Sequence, residues 1–291
     1  FIMQKILILG VSGMLGHTLF RFLSSQQDLL VTGTVRHITQ EIKLVSSKNI
    51  VLMRDVFNKE KLENIINSND VIINCIGAIK QKYDNKNTDY ILLNSYFPHL
   101  LNEICIESNK RLIHFSTDCI FNGEKGNYDD GSLSNVIDMY GKSKYLGEVY
   151  GDKTLTLRTS LIGHELKSSY SLIDWFLNSN STVNGYTKAI FSGLPTIEIA
   201  HFLYEHVLQS QLHGIYNLSA APISKFDLLT LVNEVYKLNK TIVPKSDFVI
   251  DRSLDSHRLR SLTKYTPPDW NTLVVKMYLD YLSLGALLNE R

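Results

Sequence analysis

What this 291-residue sequence lacks narrows its function before any motif is read. It has only three cysteines, Cys75, Cys105 and Cys119. An odd, sparse set makes a poor disulfide framework and points to the reducing cytoplasm. No CxxC pair or Cys/His cluster offers metal-ligand spacing, so no metal is expected. No apolar run reaches the ~18–20 residues of a membrane span. The first residues lack a basic-then-apolar signal segment, and Met3 is expected to be the native start, with Phe1-Ile2 a remnant. Neither sign of charge dominates. Thirty Lys+Arg against 29 Asp+Glu leave a net +1, no footprint for nucleic acid or a membrane surface. What remains is ordinary globular composition, 44% hydrophobic and 20% charged, long enough for one large or two modest α/β domains.

Short apolar runs alternate with helical patterns over the first 160 residues. Lys5–Leu9, Leu29–Val35, Asn49–Met53, Asp70–Cys75, Arg111–Phe115 and Thr154–Arg158 read as strands. Helical spacing recurs at Leu15, Leu19, Phe22 and Leu23, over Lys59–Asn67, over Asp89–Ser108 and over Val136–Tyr150. This alternation predicts an α/β fold, a doubly wound parallel sheet of the Rossmann kind. Beyond it the pattern loosens. A smaller, mostly C-terminal α/β substrate-binding lobe is expected over 161–191 and 220–291. Residues 1–160, with about 192–219, form the cofactor-binding unit.

Ligands of such sheets sit at the carboxyl ends of the strands, and the marked residues fall there. Gly10, Gly13 and Gly16 form GxxGxxG between the first strand and the first helix. Glycine lets backbone approach a pyrophosphate there, and the helix N-terminus supplies N–H donors and a favourable dipole. Ser12, Met14 and Leu15 belong to the same turn. After the second strand, where an acid would bond the ribose 2′-OH of NAD, stands Arg36. An arginine pairs with a 2′-phosphate, so NADP(H) is favoured, with NAD(H) the alternative. Asp55 either accepts from the adenine amino group or caps the next helix, with Val56 beside it. Cys75, Ile76 and Gly77 end the fourth strand along the expected cofactor ribose.

Tyr140 and Lys144, at i and i+4, share one helix face. A neighbouring ammonium is expected to lower the phenol pKa, so the pair can exchange a proton with a carbonyl or alcohol oxygen. Thr117, at the end of the preceding strand, supplies a hydroxyl donor.

With these residues in place, the chain resembles an extended short-chain dehydrogenase/reductase, and within it the dTDP-4-dehydrorhamnose reductase branch of nucleotide-sugar reductases. The features are GxxGxxG, Ser116-Thr117-Asp118 with Phe121-Asn122-Gly123, Tyr140-x3-Lys144 with Gly147-Glu148, Leu157-Arg158-Thr159-Ser160, Gly193-Leu194-Pro195-Thr196 and Gly214–Ser219. The resemblance implies that Tyr140 protonates a sugar ketone, Lys144 holds the nicotinamide ribose, and Thr117 bonds the carbonyl. It places Asn94 where the superfamily often has a helix asparagine. Asp118, Phe121 and Ser160 would face the substrate. Lys80, Lys82 or Lys188 would meet its diphosphate. It also implies a homodimer through helix surfaces near 88–108 and 137–150.

The sequence departs from that branch at Leu161, where a tryptophan is usual, and at Cys119, where tyrosine is usual. A UDP-linked 2-acetamido-4-keto sugar therefore stands beside the dTDP-linked 4-keto-6-deoxyhexose as substrate. Asp118 is followed by Cys119 rather than by the glutamate of sugar 4,6-dehydratases, which disfavours dehydration. A nucleotide-sugar epimerase and a non-catalytic NADP-binding regulatory subunit, like that of methionine adenosyltransferase, are the competing readings.

Overall fold

The structure, a computed structural model, describes residues 3–45, 49–80 and 87–289. Seven strands form one parallel sheet. They are β1 (Gln4–Leu9), β2 (Leu29–Val35), β3 (Ile50–Leu52), β4 (Val71–Asn74), β5 (Arg111–Ser116), β6 (Thr154–Arg158) and a last strand, Gly214–Asn217. The order runs from that last strand through β6, β5, β4, β1 and β2 to β3. Ile6–Leu9, Val71–Asn74 and Thr154–Arg158 are buried throughout, as helices covering both faces of a sheet require.

One face packs on the helix Met14–Ser24 and on Thr196–Phe202, through Leu19, Leu23, Ile199 and Phe202. The other packs on Lys59–Asn67 and Phe97–Glu107, through Leu62, Ile66, Leu101 and Ile104. Chain order reverses between β1 and β4, whose ends pair at Leu9 and Asn74. That reversal opens a crevice at their carboxyl ends.

The expected strands all form, and Lys59–Asn67 and Thr154–Arg158 end where the sequence places them. Two helices differ. Val136–Tyr150 contracts to Met139–Leu146, because Asp138 caps it by accepting from Gly141 N at 3.0 Å and Gly147 stops it. The long helix before β5 is helical from Asn87 to Glu107, but Ile91–Tyr96 is a π-turn that no periodicity announced.

After β6, the chain builds a second core from Ile173, Phe176, Leu228, Val232, Val274 and Met277. Ser224 caps the helix Lys225–Val235 there, as its position before an apolar-periodic run predicts. Two parallel strands, Thr182–Tyr186 and Thr241–Lys245, edge this core. A small sheet of Ile223-Ser224, Ala189–Phe191 and Ile250-Asp251 brings residues 250–252 back toward the end of β5.

Candidate active site

The cofactor cradle is made of backbone. Gly10 sits at φ +88°, a conformation L side chains rarely adopt, and a Cβ there would stand 2.9 Å from Ile76 Cγ1. A Cβ on Gly16 would collide with the Gly10 carbonyl. Gly13 is the N-cap of Met14–Ser24, and no side chain caps that terminus. The helix therefore offers an uncapped N-terminus to the crevice, which fits the pyrophosphate of a dinucleotide. Ser12 is exposed at this turn, whereas Leu15 and Gly16 are buried and Met14 is half-buried. Cys75 and Ile76 flank the crevice, half-buried, and Gly77 is exposed.

Arg36 follows β2 directly and is exposed, free to reach a phosphate. Asp55 turns its Oδ1 to the Phe57 N–H at 2.9 Å. The true cap of the next helix is Asn58, which accepts from Lys61 N at 3.0 Å. Asp55 thus closes the turn before that helix, and Val56 packs beneath it in the core.

The end of β5 and the helix Met139–Leu146 bring Thr117, Tyr140 and Lys144 together. Thr117 Oγ1 accepts from Cys119 N and donates to Asp118 Oδ1, both at 3.2 Å. Lys144 is buried and donates from Nζ to the Phe115 carbonyl at 2.6 Å. Burial pulls its pKa down to about 8, against the field of Glu148. The structure corrects one expectation here. Burial pushes the Tyr140 phenol up rather than down, the charges of Cys119 and Asp118 reinforce it, and only the Thr117 hydroxyl pulls the other way. The phenol therefore keeps its proton, which is the state a proton donor needs.

Two tethers hold this corner. Asn94, fully buried in the π-turn, accepts from Ala78 N at 2.8 Å. Its amide nitrogen donates to the Ala78 carbonyl and to Ser143 Oγ. It thereby ties the loop after β4 to the catalytic helix. Gly147 lets that helix close on the Asn94 backbone, since a Cβ there would overlap the Asn94 carbonyl. Behind Lys144, Glu148 takes Arg158 Nε on Oε1 and Nη2 on Oε2, each at 2.8 Å, and Ser116 Oγ on Oε1 at 2.7 Å. A bidentate pair buried this fully fixes the end of β6 against the helix.

The expected substrate residues separate. Lys80 lies beside the phenol, its Nζ 5.6 Å from the Tyr140 ring centroid and 3.1 Å from Asp138 Oδ2. Asp118 is buried next to Thr117, and burial raises its pKa. Ser160 is half-buried beyond β6. Phe121 is a correction: its side chain is fully buried and stacks on Tyr128 at 4.1 Å, so it is core and cannot touch substrate. Lys188 is exposed in the turn between Thr182–Tyr186 and Ala189–Phe191, and no contact joins it to the catalytic trio. Lys82 lies outside the described residues.

Sequence reasoning missed two cations in this corner. Arg252 donates from Nε to the Phe121 carbonyl at 2.8 Å, and its Nη1 reaches Cys119 Sγ at 3.5 Å. Lys225, at the start of Lys225–Val235, feels the charges of Asp118, Cys119 and Arg252. No spacing links them to Thr117, because Arg252 lies 133 residues from Cys119. The serine cap before Lys225 was the only local signal.

The chain as a whole is similar to known proteins. The chain matches the RmlD substrate binding domain family over residues 3–278. It is 27% identical over 242 residues to a dTDP-4-dehydrorhamnose reductase of Aggregatibacter actinomycetemcomitans, covering 77% of this chain and 76% of that protein. Among solved structures it resembles a dTDP-4-dehydrorhamnose reductase of Bacillus anthracis in complex with NADP. The TM-score is 0.78 at 17% identity, covering 96% of this chain and 100% of that one. It also resembles the Bordetella bronchiseptica enzyme WbmG in complex with NAD and UDP, again at TM-score 0.78, with 16% identity and 97% and 96% coverage. The glycine cradle, the Thr117, Tyr140 and Lys144 corner and a match spanning nearly the whole chain make it a member of the RmlD substrate binding domain family.

Proposed function

We propose that the chain is a reductase that uses NADPH to reduce the C4 ketone of a nucleotide-linked 4-keto-6-deoxyhexose, in the making of deoxysugars for surface polysaccharide. One observation carries this reading: Thr117, Tyr140 and Lys144 meet in one corner beside an uncapped, glycine-walled helix N-terminus. The cofactor supplies the hydride. NADP bound to the Bacillus anthracis relative supports NADP(H) here, and NAD bound to the Bordetella enzyme keeps NAD(H) as the alternative.

The residues divide the remaining work. The Tyr140 phenol, and the Thr117 hydroxyl once it turns its proton from Asp118, hold the ketone oxygen, so the charge that develops there meets two donors. Tyr140 passes its proton to that oxygen. Lys144 bonds the nicotinamide ribose and offers the positive field that eases the phenol's loss of its proton. The cradle of Gly10, Gly13 and Gly16 fixes the pyrophosphate, and Arg36 takes the 2′-phosphate. Residues 161–191 and 220–291 form the lobe that covers the sugar nucleotide. The enzyme would work in the reducing cytoplasm without nucleic acid. Exposed Ile91, Leu92, Tyr96 and Leu146 would pair two copies.

NADPH oxidation tests this, followed at the nicotinamide absorbance with dTDP- and UDP-linked 4-keto-6-deoxy sugars, with and without a 2-acetamido group. Oxidation with one of them establishes the reductase and names its nucleotide. Silence across the panel, with NADPH shown to bind, moves the assignment to an epimerase or a non-catalytic subunit.

A further inference from the structure

When Tyr140 gives its proton to a ketone oxygen, it is left a phenolate until water returns the proton. Asp118, close by, disfavours that anion. Lys144, one turn on, spends a donor on the Phe115 carbonyl at 2.6 Å. A second ammonium stands over the ring itself. Lys80 Nζ lies 5.6 Å from the Tyr140 ring centroid. Its place is fixed from two sides. Asn94 binds both the N–H and the carbonyl of Ala78, two residues before Lys80. Asp138 Oδ2 pairs with Lys80 Nζ at 3.1 Å. The other oxygen of that carboxylate, Oδ1, accepts from Gly141 N at 3.0 Å as the cap of the catalytic helix. Asp138 thus joins Lys80 to the turn that carries Tyr140. Tyr90 meets the same ring edge-on, with centroids 6.0 Å apart. The charge of a phenolate spreads over its ring carbons. A cation over the ring face therefore meets more negative charge after proton transfer than before it.

We propose that Lys80, held by Asp138, is a second cationic partner of Tyr140 and stabilises the phenolate left when the proton passes to the ketone oxygen. It is a positioning residue, since it acts through the Tyr140 ring and not on the sugar. This rests on the reductase reading above and deepens it, and it replaces the diphosphate contact that the sequence suggested for Lys80. Asp138 sets the strength of the effect. Its carboxylate holds the ammonium over the ring and cancels part of its field. Both side chains are half-exposed, so water screens the pair and the effect on rate is modest. The two residues therefore pull in opposite directions: removing the ammonium slows proton transfer, and removing the carboxylate charge speeds it.

The test follows single-turnover NADPH oxidation at saturating sugar, with whichever 4-keto-6-deoxy sugar nucleotide the wild type reduces. Melting temperature and NADPH affinity serve as controls of the fold. Lys80→Met should slow the turnover by about three- to tenfold, as one lost cation–ring contact predicts, and leave KM for the sugar near wild type. Lys80→Arg, which keeps the cation, should restore most of the rate. Asp138→Asn keeps a good helix cap and frees the ammonium's field, so it should speed the turnover by about two- to threefold. In a Tyr140→Phe background, Lys80→Met should change nothing further, because no phenol remains for it to act through. A slowing by both Lys80→Met and Asp138→Asn overturns the proposal, since the pair then merely braces the helix. A rise in KM alone overturns it in favour of a contact with the substrate diphosphate. The same fall with and without the Tyr140 phenol, or an unchanged rate in Lys80→Met, overturns it as well. Each of these leaves the reductase reading standing. A wild type that reduces none of the sugars overturns that reading and the role of Lys80 with it.

Discussion

The two halves of the site are built from different material. The cofactor half is backbone: positive φ at Gly10, the tight approach of Gly16 to the Gly10 carbonyl, and the uncapped helix at Gly13. The catalytic half is side chain: buried Lys144 on a carbonyl, Glu148 on Arg158, Asn94 on Ala78 and Ser143. A backbone site depends on glycines a few residues apart and survives most changes around it. A side-chain site depends on charges gathered from distant segments, and its chemistry shifts when any one of them changes.

Four experiments press on that contrast. Tyr140→Phe removes the transferable proton and leaves the cradle untouched. Turnover should fall by about 10²–10⁴ while NADPH affinity stays near wild type; a loss of affinity of similar size would mean the halves are not separable. Glu148→Gln leaves Arg158 charged and half-paired in the interior. Denaturant unfolding should show about 3–5 kcal/mol of lost stability, and a loss under 1 kcal/mol would show that the pair is dispensable. Arg36→Ala should weaken NADPH by about tenfold and spare NADH, as one lost charge-assisted phosphate contact predicts. Equal losses for both cofactors would remove Arg36 from the 2′-phosphate. The smallest effect concerns pH. Lys144, with its pKa pulled down to about 8, is an ammonium below that value and neutral above it. The kcat/KM profile should therefore decline as pH rises through about 8. Glu148→Gln, which removes the carboxylate favouring the ammonium, should move that decline to lower pH.

The sheet was legible because buried parallel strands read as apolar runs, and Lys5–Leu9 or Thr154–Arg158 can hardly read as anything else. The cradle was legible because its glycines follow one such run at once. Tyr140 and Lys144 were legible as neighbours on a helix face. Their protonation was not, since it depends on burial of the phenol and on the charges of Cys119 and Asp118, which only the fold brings to it. Phe121 was misplaced because an aromatic beside a motif gives no sign of which way it points, and Tyr128 draws it inward. Arg252 and Lys225 were invisible because only the folded lobe returns them to the end of β5.

The π-turn at Ile91–Tyr96 carries a consequence of its own. It holds one residue more than regular α-helical winding would need. Deleting Ser95 or Tyr96, which lie between Asn94 and the helix that follows, would rotate Asn94 by about 100° against that helix. The amide would then leave Ala78 and Ser143 together, freeing the cofactor loop and the catalytic helix in one stroke. Ile91, Leu92 and Tyr96 are exposed and their side chains take no part in this tether; the length of the stretch does. In this segment the chain encodes function in a count of residues as well as in the identity of Asn94.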